Sequence, residues 1–250
     1  MMISAKRFRP TAGLCSLIAL GCAGGPSAVE VPEVDPVAAG AEAIKTYDGN
    51  GDAALGPDEL AKCPGMVVKL AAYDADKNGS VEQAEIAARL GELYKHSPGA
   101  TQLNCAVTYR GRPLAGAEVV FEPEAYLGEE IQAARGVTDA AGVAAMGIPP
   151  EFLPEHLHRL KALHYGTFKV RVTHPTIALP ARYNTATELG YETESGNPNV
   201  QFVLADKYPR LRGGSVTMPV GIVLRRVTPR RSRGLQSTLC ELCEAWRRWR

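Results

Sequence analysis

A twelve-residue segment with regularly spaced oxygen-bearing side chains constrains this chain more than any other feature. The segment, 74–85, reads DADKNGSVEQAE, with Asp or Asn at positions one, three and five, Gly at six and Glu at twelve. Ca²⁺ prefers six to eight oxygen ligands at about 2.3–2.6 Å, completed by a bidentate carboxylate. The predicted calcium ligands are the side chains of Asp74, Asp76, Asn78 and Glu85 and the backbone carbonyl of Ser80.

A second segment with the same pattern lies upstream, at 48–59. Its predicted ligands are the side chains of Asp48, Asn50, Asp52 and Glu59 and the backbone carbonyl of Ala54. Ala53 replaces the glycine of the pattern, and Gly56 stands where Glu82 can add an oxygen in the downstream segment. Because a residue with a Cβ at positive φ costs roughly 1 kcal/mol, we expect weaker calcium binding upstream. The alternative for both segments is a polar turn rich in Asp and Asn.

Both segments resemble EF-hand calcium loops, and they start 26 residues apart, at 48 and 74. Leu55 and Val81 occupy matching apolar positions, which are expected to pack against the partner loop. Apolar spacing and proline punctuation predict helices at 37–47, 57–61, 66–73 and 82–94. The resemblance implies a small helical EF-hand pair over 37–97, with calcium as part of the fold because such short helices are unstable alone. The close spacing of the loops is similar to that of dockerins, so a protein-docking module is the alternative.

From residue 102 the periodicity changes from helix to strand. Alternating apolar residues predict strands at 103–109, 117–121, 133–138, 143–148, 166–173 and 200–204, which suggests a small β-sandwich. Three segments, 109–119, 136–142 and 166–170, resemble motifs of carboxypeptidase-regulatory-like domains, also called prealbumin-like or transthyretin-like. A further segment, 177–189, is similar to one in secreted planctomycete-type bacterial lipoproteins of this kind. The resemblance implies an antiparallel prealbumin-like β-sandwich over 102–206 with a non-catalytic, accessory or adhesion-like role.

The N-terminus predicts export. Basic residues precede a short apolar run at 11–20, as in a secretory signal, and the run is too short to span a bilayer. The residues up to Cys22 resemble a bacterial lipoprotein signal, which implies lipidation of Cys22 and a membrane anchor. An ordinary cleaved signal is the alternative. We therefore expect a protein of the cell envelope, membrane-anchored or periplasmic or extracellular, with 1–22 as the signal and 23–36 as a flexible tether.

The histidines between the fourth and fifth predicted strands offer a further candidate site. His156, His158 and His164 lie in the segment 149–165, and paired histidines can bind a transition metal. No cysteine or carboxylate is positioned by spacing to complete such a site, so a solvated insertion is the favoured interpretation. No nucleophile elbow, zinc-protease motif or phosphate-binding loop occurs elsewhere in the chain. The sequence therefore predicts no catalytic residue, and we expect the protein not to be an enzyme.

The cysteines and the C-terminal segment add little chemistry. Spacing alone allows a disulfide between Cys63 and Cys105, but we expect none. The Arg-rich segment 207–250 lacks periodicity and is expected to be a disordered tail, and we expect no nucleic-acid partner. Together these features predict a multi-domain α plus β protein that binds calcium, has a structural or adhesion-like role and contacts another envelope or extracellular protein. An accessory domain of an envelope enzyme is a second alternative.

Overall fold

The structure is a computed structural model that describes residues 29, 31–95 and 97–207. Cys22, the predicted signal, half of the predicted tether and nearly all of the Arg-rich segment lie outside the described residues. None of the helices in the described part of the chain combines the length and the apolar character that a bilayer span requires.

Five short α-helices occupy the first part of the described chain. They are α1 (Pro36–Tyr47), α2 (Pro57–Leu60), α3 (Pro64–Val67), α4 (Leu70–Tyr73) and α5 (Gln83–Tyr94). α1 begins where the Asp35 side chain accepts hydrogen bonds from two backbone N–H groups and a proline follows at the first helical position. The helices predicted at 37–47 and 82–94 are confirmed. The helix predicted at 66–73 is instead divided, because Val68 and Lys69 form a turn between α3 and α4.

Twelve strands are present among the described residues. They are β1 (Ala54–Leu55), β2 (Val81–Glu82), β3 (Ala100–Thr101), β4 (Asn104–Tyr109), β5 (Arg112–Pro113), β6 (Glu118–Pro123), β7 (Ala134–Val137), β8 (Val143–Ala145), β9 (Leu163–His164), β10 (Thr167–Thr173), β11 (Gly190–Glu192) and β12 (Asn199–Leu204). The six predicted strands correspond to β4, β6, β7, β8, β10 and β12. The other six contain two or three residues each, which is too few for an alternating pattern to be visible in the sequence.

Eight of the strands form two four-stranded sheets. In the first sheet the order is β11-β10-β6-β7 and every pair is antiparallel. In the second sheet β12 lies on one side of β4, and β5 and β8 lie on the other. The β12–β4 pair is parallel, so the prediction of an antiparallel arrangement is wrong for this pair. Parallel pairing needs a long crossover connection, which the chain between β4 and β12 provides.

The described chain is therefore rich in β-structure, with few helices and mostly antiparallel sheets that do not close into a barrel. This part of the predicted fold class is confirmed. Along β10 the side chains of Phe168, Val170 and Val172 are buried, while Arg171 points outward. Such alternation places one face of the sheet in the core.

One hydrophobic cluster includes both sheets and the helices. Phe121 of β6 contacts Phe202 of β12, with ring centroids 6.2 Å apart, so the two sheets meet across the core. The cluster continues into the helical part through Leu60, Met66 and Leu90, which are all buried. Each fully buried large apolar side chain contributes about 1.5–3 kcal/mol, so this shared core holds the helices against the sheets.

One close contact between the helices and the first sheet is at a glycine. A Cβ on Gly190 of β11 would lie only 1.9 Å from the carbonyl oxygen of Pro64 in α3. Only glycine permits such an approach. The contact packs α3 directly against β11 of the first sheet.

Candidate metal centres

The two predicted calcium loops lie side by side. Loop 1 (48–59) follows α1 and leads into α2, and loop 2 (74–85) follows α4 and leads into α5. One short strand from each loop, β1 and β2, pair antiparallel, with Leu55 opposite Val81. Both side chains are fully buried. The predicted packing of these two apolar residues between the loops is confirmed.

Three carboxylates converge within each loop. They belong to Asp48, Asp52 and Glu59 in loop 1 and to Asp74, Asp76 and Glu85 in loop 2. In each group, one oxygen per residue lies within 4.8 Å of the others. Among residues 29, 31–95 and 97–207, no other group of three or more His, Cys, Asp or Glu side chains converges in this way. Carboxylates at this distance repel one another, and a divalent cation between them would remove the repulsion.

The surroundings of the Asp74 carboxylate indicate whether loop 2 can hold a cation. Its side chain is only 6% exposed. Its Oδ2 accepts a long hydrogen bond, 3.3 Å, from the Gly79 N–H, whereas its Oδ1 is buried and has no hydrogen-bond partner among the described residues. A buried charged oxygen without a partner costs free energy, and a coordinated cation would supply a partner. Loop 2 therefore fits a bound cation.

Backbone N–H groups orient the other carboxylates of loop 2. Glu85 reaches back across the loop, where its Oε1 accepts from the Ala75 N–H at 2.9 Å and its Oε2 from the Glu82 N–H at 3.0 Å. Asp76 Oδ1 accepts from the Asn78 N–H at 3.0 Å. These bonds leave further lone pairs on each oxygen, so the same side chains can bind a cation without losing their orientation.

Loop 1 has the same network of hydrogen bonds. Glu59 Oε2 accepts from the Gly56 N–H at 2.9 Å. The Asp48 oxygens accept from the N–H groups of Gly51 at 2.6 Å and Ala53 at 3.0 Å. These bonds, above all the one from Gly51, lower the pKa of the Asp48 carboxyl. The carboxylate is therefore charged at neutral pH, which is the form that binds a cation.

Backbone strain is shared equally between the loops. The fourth and sixth positions have positive φ in both loops, at 78° for Gly51 and 65° for Ala53 in loop 1, and at 62° for Lys77 and 91° for Gly79 in loop 2. Each loop thus has one glycine and one residue with a Cβ at these positions, in opposite order. The strain at Ala53, from which we predicted weaker binding by loop 1, is matched by strain at Lys77.

Two other differences still favour loop 2. Gly56 offers no side-chain oxygen at the ninth position, where loop 2 has Glu82. Asp48 is only partly buried, whereas Asp74 is buried. A less buried carboxylate is solvated by water and gains less from a cation. The prediction that loop 2 binds more tightly than loop 1 therefore rests on Gly56 and on the lower burial of Asp48.

The predicted carbonyl ligands lie where the loops pair. Ala54 is the first residue of β1, and Ser80 directly precedes β2. Asn50 and Asn78 lie in the same loops, and each Oδ1 accepts a 2.8 Å hydrogen bond, from the Asp52 N–H and the Ser80 N–H respectively. Of the five predicted ligands in each loop, the structure brings the three carboxylates together, and the Asn and carbonyl ligands belong to the same loops.

The histidines lie apart from these groups. His156 is exposed, and His158 Nε2 is 3.0 Å from the carbonyl oxygen of Leu153. His164 is buried in β9, where its Nδ1 accepts a 3.1 Å hydrogen bond from the Gln132 N–H. None of the three belongs to a group of potential ligands within the described residues.

The two cysteines of the described chain, Cys63 and Cys105, are free and buried. Burial raises the pKa of both thiols, and for Cys63 the nearby charge of Glu124 raises it further. Both groups are therefore neutral apolar core residues at physiological pH.

Sequence reasoning missed two buried carboxylates beside the loops. Glu124, which follows β6, is fully buried, and Glu192, at the end of β11, is 1% exposed. A single glutamate at a strand end has no signature in the sequence, because such positions are usually solvated. Only the fold brings these two side chains against the helical part.

Comparison of the chain with protein-family models, with curated proteins and with solved structures gives no match in any of the three.

Proposed function

We propose that the protein binds calcium in loops 1 and 2 and that the bound ions stabilise the helical part beside the sheets. The observation that carries the proposal is the buried, unpartnered Oδ1 of Asp74 within a group of three converging carboxylates. The resemblance of both loops to EF-hand loops and the antiparallel contact between β1 and β2 support the same function. No catalytic role is part of the proposal.

The donor set favours calcium over other metals. All the proposed ligands are oxygens, which suits hard cations, whereas zinc and copper sites generally use His or Cys. Two carboxylates, an amide oxygen, a backbone carbonyl and both oxygens of Glu85 supply about six ligands in loop 2, within the range that Ca²⁺ accepts. Mg²⁺ is smaller and retains several waters in an octahedral shell, so we expect it to bind these loops more weakly.

For the sheets we propose a prealbumin-like β-sandwich with a structural role. The contact between Phe121 and Phe202 supports two facing sheets. Thr138, from the motif at 136–142, donates its hydroxyl proton to the Leu114 carbonyl at 2.6 Å and accepts from the Ala117 N–H at 2.8 Å. The motif residues thus bind one another in the core, which supports a structural and non-catalytic use of them.

We also propose that the protein is exported and acts in the cell envelope, anchored through a lipid on Cys22, where it contacts another envelope or extracellular protein. The basic and apolar N-terminal pattern supports this location. Extracellular calcium sites function with dissociation constants of about 10⁻⁴–10⁻³ M, so modest affinity in loop 1 would suffice there. Mass spectrometry of the mature protein tests the lipid directly: an unmodified Cys22, or a chain that begins after it, would exclude the anchor.

The decisive experiment is a calorimetric titration of calcium into the chelator-treated full mature chain, followed in parallel by circular dichroism. We expect two sites of unequal affinity and a gain of helix on binding. Asp74→Asn should weaken the loop 2 site, because the neutral amide lacks the negative charge of the carboxylate. Glu92→Gln, at an exposed position of α5, serves as the control. No heat and no change in helix content for the wild-type protein would exclude the proposed function.

A further inference from the structure

Glu124 joins the first sheet to the helical part with both of its oxygens. The side chain is fully buried. Its Oε2 accepts a 2.8 Å hydrogen bond from the Tyr47 hydroxyl, and its Oε1 accepts a 3.0 Å hydrogen bond from the Gly65 N–H. The ammonium of Lys169 in β10 lies 3.3 Å from Oε2 and balances the buried charge. Hydrogen bonds that involve a charged group are about twice as strong as neutral ones, so Glu124 links the first sheet strongly to the helical part.

These two hydrogen bonds reach the chain on either side of loop 1. Tyr47 is the last residue of α1 and directly precedes Asp48, the first proposed ligand. Gly65 lies in α3, six residues after Glu59, the last proposed ligand. One carboxylate from the sheet therefore holds both the segment that enters loop 1 and the segment that leaves it. Because adjacent Cα atoms are about 3.8 Å apart, a shift of Tyr47 carries the Asp48 backbone with it.

The surroundings allow Tyr47 and Gly65 little freedom to move. The Tyr47 ring meets the Tyr126 ring edge to face, with centroids 6.3 Å apart. Burial, followed by the charge of Glu124, raises the pKa of the Tyr47 hydroxyl, which therefore remains a donor. At Gly65 a Cβ would lie 2.9 Å from Glu124 Oε1 and 3.0 Å from the Phe168 backbone nitrogen. The contact thus requires a glycine on one side and a hydroxyl donor on the other.

We propose that Glu124 is a positioning residue for the cation site of loop 1. By fixing both ends of the loop to the sheet, it holds Asp48 and Glu59 at the separation that a cation needs before the cation binds. Binding in loop 1 is then coupled to the packing of α1 on the first sheet. This inference rests on the proposed function. Residues that orient metal ligands from outside the coordination shell typically change metal affinity by about 10–100-fold when they are mutated.

Two variants test the proposal on the full mature chain. Tyr47→Phe removes a single hydroxyl and keeps the ring, and Glu124→Gln removes the charge and one of the two accepting oxygens. Tyr183→Phe is the matched control, because its buried hydroxyl donates to the Ala205 carbonyl at 3.1 Å and contacts neither loop. Amide NMR signals of Gly51 and Gly79 report calcium binding to loop 1 and loop 2 separately.

In both test variants we expect calcium to bind loop 1 about tenfold more weakly, at the lower end of the range for such residues, while loop 2 changes by about twofold or less. The control should bind as the wild type does. A merely structural role would instead weaken both loops alike, and that result, or an unchanged loop 1, overturns the positioning role while the proposed function stands. If the wild type binds no calcium in either loop, the proposed function itself fails, and the positioning role fails with it.

Discussion

Arg89 of α5 forms an ion pair with Glu192 of β11, and this contact fixes the helix that leaves loop 2 to the first sheet. The Glu192 side chain is fully buried, whereas that of Arg89 is 26% exposed. The hydrogen bond to Glu192 raises the pKa of the guanidinium. Arg89 follows Glu85, the last proposed ligand of loop 2, by four residues, so Arg89 lies about one turn of helix from that proposed ligand.

Removal of Arg89 should destabilise the protein strongly. Arg89→Leu leaves a buried carboxylate without its partner, which typically costs 3–5 kcal/mol; we expect about 2–3 kcal/mol because the pair is partly exposed. The double variant Arg89→Leu/Glu192→Leu should recover most of this loss, since no buried charge remains. Urea denaturation at fixed calcium measures both effects. The control is Arg171→Leu, which breaks the exposed pair with Glu122 and should cost about 1 kcal/mol or less; equal losses in both variants would contradict this interpretation.

Glu85→Gln should abolish most of the calcium affinity of loop 2. The amide keeps an oxygen for the Ala75 N–H but can no longer bind a cation through two oxygens. We expect at least about a tenfold loss at loop 2 in calorimetric titrations, in line with the loss of a charged ligand. Glu92→Gln, on the same helix and outside the ligand group, should bind as the wild type does. Unchanged affinity in Glu85→Gln would show that this loop is an ordinary polar turn.

The loops and the longer strands could be predicted because short-range patterns specify them. The order of oxygen-bearing residues in 74–85 lies within one segment, and the alternation in β10 is visible over seven residues. The packing of Leu55 against Val81 followed from their matching positions in the two loops. The patterns did not reveal the parallel pairing of β12 with β4, because alternation shows which face of a strand is buried but does not identify its neighbour.

The buried carboxylates that contact the helical part could not be predicted for a related reason. Glu124 contacts Tyr47 over a separation of 77 residues, and Glu192 contacts Arg89 over 103. From the sequence alone, a glutamate at either position would be expected to lie on the solvated surface. Their burial depends on the way the sheet and the helices meet, which no local pattern encodes.

Glycine at either strained loop position should stabilise the protein. Ala53 and Lys77 have φ values of 65° and 62°, where a Cβ costs about 1 kcal/mol. We expect Ala53→Gly and Lys77→Gly each to raise the free energy of unfolding by roughly 0.5 kcal/mol, since glycine also increases the entropy of the unfolded chain. Thermal unfolding measures the change. The control is Ala84→Gly inside α5, which should lower the free energy of unfolding because glycine weakens a helix. If the loop variants were also less stable than the wild type, Ala53 and Lys77 could not be strained positions.

Stability should fall as the pH drops below about 6.5, the usual pKa of histidine, because of His164. Burial lowers its pKa in the folded protein, and the neutral Nδ1 accepts from the Gln132 N–H. The unfolded chain therefore binds the proton at higher pH than the folded one, and the stabilisation, complete above that pH, is lost towards the lower folded pKa. His164→Asn keeps an acceptor and removes the titration, so urea denaturation at pH 7.5 and 5.5 should show a smaller difference than in the wild type. The exposed His156→Asn is the control, and identical pH dependence in all three proteins would exclude His164 as the cause.

Gly190→Ala should separate the helical part from the first sheet. The added Cβ would lie 1.9 Å from the Pro64 carbonyl oxygen. Because the position of a Cβ is fixed by its own backbone and cannot rotate away, α3 must move off β11. We expect a loss of about 3 kcal/mol or more, as for severe overpacking, and weaker calcium binding, because α3 no longer holds the segment that follows loop 1. The control is Gly91→Ala in α5, where a Cβ meets no atom within 4 Å and should add up to about 1 kcal/mol of helix stability. An unfolding temperature and a calcium affinity equal to those of the wild type would contradict this prediction. The close contact between α3 and β11 would then not be needed to hold the segment that follows loop 1.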